Sequence, residues 1–296
     1  MKIGADEMIL HLALIGGITT LIVLCMFYLA SPGGYDGLAV ILSATAQVFG
    51  IAGLLLVPIG ALWLVYELRK RARIKRNLPN KDKRYRFALT SVIASSIVAV
   101  AVSLGAFISI GLSIAFLTFA LWAYIVSRLI PKLKLLKKAE AENFNPVPLY
   151  LIFIPSVVLL FQITLAAPAI EFSRNYAITR SEALINDIEE YRAANGHYPS
   201  SLLAVNKDYH PSVVGIEQFH YAPNGDAYNL FFEQPTFLLA NFGTREIVMY
   251  NPRDEQTMIS HDGDILRWTP EELETRRGWY AVHDAPSPHW KYFWFD

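Results

Sequence analysis

Residues 188–202 read IEEYRAANGHYPSSL, and this stretch decides the fold because it marks where a long helix must stop. Upstream of it, residues 169–195 contain neither proline nor glycine. Ile178, Ile185 and Ile188 recur there at helical spacing, with Leu184 and Tyr191 beside them. Glu182, Asp187, Glu189 and Glu190 lie mainly on the other side, so the helix is amphipathic and its apolar stripe needs a partner surface. Asn195-Gly196 suits a helix C-terminus, because glycine takes the left-handed conformation without a Cβ penalty. Pro199 cannot continue the helix. Tyr198 is then expected to fold back onto it, and Ser200 or Ser201 to cap a short turn that buries Leu202 and Leu203. The residues of this structural motif are Tyr191, Gly196, Tyr198 and Pro199.

The amphipathic segment continues an apolar one. Residues 149–170 are long enough to cross a bilayer, where about 20 residues suffice. Four further apolar segments precede them, near 8–30, 38–66, 87–106 and 110–130. The run 87–130 is too long for a single span and must fold back, with Gly105 to Gly111 as the bend. The first segment is too long for a signal-peptide core and reads as a retained helix, with cleavage as the alternative. SPGGYDG (31–37) reads as a tight turn, and Trp63 and Tyr66 as anchors at a membrane interface. His11 is the ionisable group within a span, near its end; Gln47 and Gln162 are expected to hydrogen-bond between helices.

Charge sets the expected orientation. Residues 1–170 hold 16 Lys/Arg and 7 Asp/Glu, whereas residues 171–296 hold 10 and 19. Ten of the cations crowd into residues 69–86, RKRARIKRNLPNKDKRYR, and four lysines open residues 131–147. Both basic connectors are expected on the cytoplasmic side, the first drawn also to anionic lipid headgroups. Five spans then put the N-terminus in the cytoplasm and the C-terminal domain outside it, as in a multi-pass protein of a bacterial inner membrane. The partner implied is the lipid bilayer, together with other envelope proteins. The acidic C-terminal part argues against nucleic-acid binding. Cys25 is the single cysteine, so no disulfide forms within the chain.

Downstream of the motif, FHYAPNGDAYNL (219–230) places aromatic runs around Asn-Gly and predicts a β-hairpin. Residues 246–250 and 265–268 read as strands, 260–264 as a turn, and Thr269 as the cap of a helix. Residues 289–296 are too aromatic to trail in water and should pack on the domain. A membrane helix running into an amphipathic one, then IEEYRAANGHYPSSL and FHYAPNGDAYNL, resembles type IV pilins and type II secretion pseudopilins. That resemblance covers residues 149–232 and implies a long N-terminal helix packed on a small antiparallel sheet. Here the hydrophobic helix is the fifth span, and no processing site precedes it, so the resemblance implies a pilin-like head fixed to a multispan anchor. The fold class expected is five transmembrane helices (1–148, then the span 149–170) plus an extracytoplasmic α+β domain (171–296).

No catalytic or cofactor-binding residue is assigned. His197, His210, His220, His261, His283 and His289 show no zinc spacing. Asp262 and Asp264 flank Gly263 and are weak candidates for a calcium loop, against a plain Asp-Gly turn. Ser200 and Ser201 lack a nucleophile elbow, and no phosphate-binding glycine loop or dinucleotide pattern occurs. The expectation is a non-enzymatic interaction or assembly module without a cofactor. A sensor or transport-associated protein with a ligand-binding head is the alternative, and an enzyme site between head and membrane stays open.

Overall fold

A computed structural model of the chain describes residues 5–76, 82–109, 112–138, 144–205, 209–235, 237–240, 245–256 and 282–295. Six helices come first: α1 (Ala5–Phe27), α2 (Gly37–Ala52), α3 (Leu56–Lys75), α4 (Arg84–Ser109), α5 (Leu112–Lys138) and α6 (Val147–Asn195). Among the described residues five antiparallel strands follow: β1 (His220–Asn224), β2 (Ala227–Glu233), β3 (Arg245–Tyr250), β4 (Val282–Asp284) and β5 (Trp290–Phe295). Among the described residues five helical stretches are long and apolar enough to cross a membrane: Asp6–Ala30, Gly37–Lys75, Arg84–Gly105, Ala115–Lys134 and Val147–Asn195.

These stretches match the expected spans, but their ends differ. The second is two helices, α2 and α3, joined by a 3-10 turn at Gly53–Leu55. The basic residues 69–75 extend α3 rather than forming a loop, and α5 continues through Pro131 into the lysine run. Lysine and arginine are good helix formers, so charge after a span does not end the helix. Helix α4 ends at Ser109 and α5 starts at Leu112, which agrees with the expected change of direction near Gly105 to Gly111.

The chain divides into two compact units. The helical unit comprises residues 1–26 and 41–162. In it Ile15 of α1 packs with Ile154 and Val158 of α6, and Leu56 of α3 with Ala94 and Val98 of α4. Gly60 lets α3 approach α6 closely: a Cβ there would lie 2.9 Å from Ile152 Cγ1 and 3.1 Å from the Pro148 carbonyl oxygen. Ser43 donates to the Met26 carbonyl (2.6 Å) and accepts from Gln47 Nε2 (3.0 Å). Gln162 is fully buried, and its amide has no hydrogen-bond partner among the described residues. The expected interhelical bond from Gln162 is therefore not formed. Trp63 is no interface anchor: it is 1% exposed, stacks on Phe87 and donates from Nε1 to Glu67 (3.2 Å).

The second unit comprises residues 27–40 and 163–296. Its sheet has the order β1-β2-β3-β5-β4. The β1–β2 hairpin pairs Asn224 with Ala227 across a two-residue turn, in which Gly225 has φ +59°. The aromatic tail becomes β5, inserted between β3 and β4. Ala177, Ile178, Leu184 and Ile188 of α6 pack against Tyr228, Leu230, Phe232, Val248 and Trp290 of the sheet. That is the partner surface the apolar stripe required. Residues 31–37 do more than turn: Gly33 N–H donates to Ser212 O (2.9 Å), Asp36 N–H to Val214 O (2.9 Å) and Val214 N–H to Ser31 O (3.0 Å). A turn pattern specifies local shape only, whereas this pairing depends on a segment 180 residues away in sequence.

At the motif, Gly196 has φ +78° and its N–H reaches the Arg192 carbonyl at 2.8 Å, the single-bond left-handed cap. Gly196→Ala should therefore cost the sheet unit about 1 kcal/mol, read as a lower thermal midpoint of the full-length protein. An unchanged midpoint would show that the helix end frays without strain. The turn after Pro199 does form, at Leu202–Val205, but Leu203 is 88% exposed, and Leu202 and Val205 are the residues that pack on the core. Adjacent residues of one short turn point in different directions, so both leucines could not enter the core together.

Candidate functional site in a cleft between α6 and the sheet

Ala167, Ile170, Glu171 and Arg174 fall at i, i+3, i+4 and i+7 and share one face of α6. The strand register sets Glu246 opposite Trp294, and Tyr292 opposite both Val248 and His283. Alternation along strands places Glu246, Val248, Tyr292, Trp294 and His283 on one face of the sheet. A cleft of about 460 Å³ lies between the two faces.

Its floor is a buried ion pair. Arg174 is 7% exposed and Glu246 2%. Arg174 Nε and Nη2 approach Glu246 Oε1 at 2.8 and 2.7 Å, and Trp294 Nε1 donates to Oε2 at 2.9 Å. Both carboxylate oxygens are thus engaged. The guanidinium also sits 3.6 Å from the centroid of the Tyr292 ring. His283 stacks on Tyr292 (5.0 Å) and meets Trp294 edge-on (5.5 Å). Glu171, His283 and Asp284 are exposed at the rim. With Arg174 cancelled by Glu246, the rim carries the two acidic groups Glu171 and Asp284 over aromatic walls.

The motif residues lie elsewhere on the unit and do not line this cleft. Tyr191 meets His197 edge-on, and Tyr198 folds back as expected, donating to Glu189 (3.1 Å) and accepting from Arg192 (2.7 Å). Pro199 is buried, and its carbonyl accepts from the Tyr221 hydroxyl at 2.7 Å. Tyr198, Tyr221 and Tyr250 all surround Tyr228, with ring centroids 4.8–5.8 Å from it. Burial, with the Glu189 charge added, pushes all four hydroxyls above the ordinary tyrosine value. In the unfolded chain these hydroxyls ionise at about pH 10. Their folded values are higher, so their contribution to stability is full below that pH and is lost as pH rises toward the folded values. The sheet unit should accordingly unfold above about pH 10, with tyrosinate absorbance appearing together with loss of structure. Ionisation in a still-folded protein would contradict the burial.

No family model, curated protein or solved structure matches this chain.

The chemistry therefore rests on the residues themselves. Asp262, Asp264 and His261 lie outside the described residues, as do 265–268 and Thr269. Among the described residues no group of three His, Cys, Asp or Glu could hold a metal ion. His11 Nδ1 lies 2.9 Å from the Tyr150 hydroxyl, in a contact between α1 and α6. Sequence reasoning missed Arg174, Glu246, Glu67 and Arg84, all of them buried. One signal was available: Arg174 falls on the apolar stripe itself, between Ile170 and Ile178, where a charge requires a partner.

Proposed function

We propose that this chain is a multi-pass membrane protein of the bacterial envelope whose α+β unit is a binding module, taking its ligand in the cleft between α6 and β3–β5–β4. One observation carries the reading: a buried Arg174–Glu246 pair under an open, aromatic-walled cleft. A buried ion pair is often no more stable than an apolar replacement, so stability alone gives little reason for it at this place. The acidic rim of Glu171 and Asp284, beside the indole of Trp294, suits an amine-bearing or quaternary ammonium ligand. The five apolar helices support membrane integration, and the basic ends of α3 and α5 support a cytoplasmic side for those ends. Residues 31–37 belong to the same hydrogen-bonded unit as 212–215, which supports placing the α1–α2 connector and the sheet on the opposite, extracytoplasmic side.

The assembly reading has its own support in α6 packed along an antiparallel sheet, the arrangement the pseudopilin resemblance implies. Thermal midpoints of the full-length protein separate the two. Amines should raise the midpoint while neutral isosteres of the same shape leave it unchanged, and Glu171→Gln/Asp284→Asn should abolish the rise. No rise across an amine panel, together with a photo-crosslinker at His283 that captures one envelope protein in cells, would replace ligand binding by assembly. A reporter fused after Asp296 should be active only outside the cytoplasm.

A further inference from the structure

Leu62, Val65, Tyr66, Arg69, Lys70 and Arg73 form a single stripe of α3, in steps of three and one. Lys83, just before α4, and Phe87, one turn into it, face that stripe across a groove of about 350 Å³. The chemistry changes in one direction along the groove. Leu62 is 65% exposed and Val65 44%, both apolar; Tyr66 follows, then Arg69, Lys70 and Arg73.

The walls are held in place. The Tyr66 hydroxyl accepts from the Lys83 N–H at 2.9 Å. Lys70 Nζ donates to Asp82 Oδ2 at 2.7 Å, and the Arg84 N–H to Asp82 Oδ1 at 2.8 Å. Arg84 in turn grips the buried Glu67. Lys70 is thus committed to Asp82. Arg69, Arg73 and Lys83 are exposed, and none has an acidic partner among the described residues. Three cations without an acidic partner among the described residues line one end of a groove whose other end is apolar and open. A water-soluble anion would satisfy the first feature only.

We propose that this groove binds the phosphate-bearing headgroup of an anionic phospholipid, with the phosphate among Arg69, Arg73 and Lys83 and an acyl chain along Leu62, Val65 and Phe87. The site is separate from the α6–sheet cleft, and its test does not depend on that cleft having a ligand. The full-length protein in mild detergent is titrated with phosphatidylglycerol and with phosphatidylcholine of the same acyl chains, and bound lipid is counted by native mass spectrometry. Phosphatidylglycerol should be retained preferentially. Each cation at a membrane surface contributes about fivefold, so Arg69→Gln/Arg73→Gln/Lys83→Gln should weaken phosphatidylglycerol binding on the order of 100-fold and leave phosphatidylcholine unchanged. Arg128→Gln/Lys132→Gln/Lys134→Gln removes the same charge from α5, also at exposed positions, and should change binding less than about threefold. Because all six residues are exposed, both variants should keep the wild-type melting temperature. Equal losses in the two triple variants would reduce the effect to general surface charge and overturn the site. Displacement of the lipid by inorganic phosphate, with no dependence on acyl chains, would assign the groove to free phosphate and likewise overturn it.

Discussion

Arg84→Ala should destabilise the helical unit by about 3–5 kcal/mol, the cost of leaving a buried charge without its partner. Arg84 Nε and Nη2 hold Glu67 at 2.7 and 2.6 Å, and Glu67 is 1% exposed. Among the described residues Glu67 would then keep the Trp63 indole (3.2 Å) and the Asn145 N–H (3.4 Å), neither of which carries charge. The double variant Glu67→Gln/Arg84→Met should recover most of the loss, because neither charge then has to be desolvated and the amide oxygen still accepts from Trp63. The contrast is Arg192→Ala. That residue pairs with Glu189 at 4.0 Å with both side chains about two-fifths exposed, so the loss should stay within about 1 kcal/mol. Denaturant titration of the full-length protein in detergent measures all three. A loss below about 1 kcal/mol for Arg84→Ala would mean that water reaches the pair.

Glu246→Ala should cost the sheet unit a similar amount, about 3–5 kcal/mol, and for a second reason besides charge. It strands the Arg174 guanidinium and also leaves the Trp294 indole N–H without its acceptor. Glu246→Gln should be milder, since an amide oxygen still accepts from Trp294, although Arg174 remains uncompensated. The double variant Arg174→Met/Glu246→Gln should restore most of the stability, since no charge is then buried and the amide oxygen still accepts from Trp294, while removing the charged cleft floor. It thereby separates folding from binding: near-wild-type melting with loss of the amine-induced shift is the expected outcome, and retention of the shift would remove the pair from the ligand site.

The two pairs also show where sequence reasoning reached its limit. The hairpin at residues 219–232, the strand at 246–250, the helix end at Gly196 and the five apolar stretches were legible, because each follows from local periodicity or one backbone preference. Asp82 and Arg84 read as members of the basic connector 69–86, and Glu67, just before it, is assigned nothing. Their separation into buried and exposed groups depends on α4 packing back against α3, and no spacing rule reports that. Trp63 misled for the same reason: an aromatic near the end of a span reads as an interface anchor until a neighbouring helix covers it.

Composition and periodicity by themselves determined that this chain has five segments able to cross a bilayer, an amphipathic continuation of the fifth, and an acidic, aromatic domain beyond it. These are properties of neighbours along the chain, where 3.6-residue and 2-residue repeats carry the information. Only the tertiary structure decided which charges are paired, that the α1–α2 connector joins the sheet unit, and that β5 enters between β3 and β4. Those outcomes bring together residues tens to hundreds of positions apart, and they are selected by which polar groups can be satisfied once the apolar surfaces have closed.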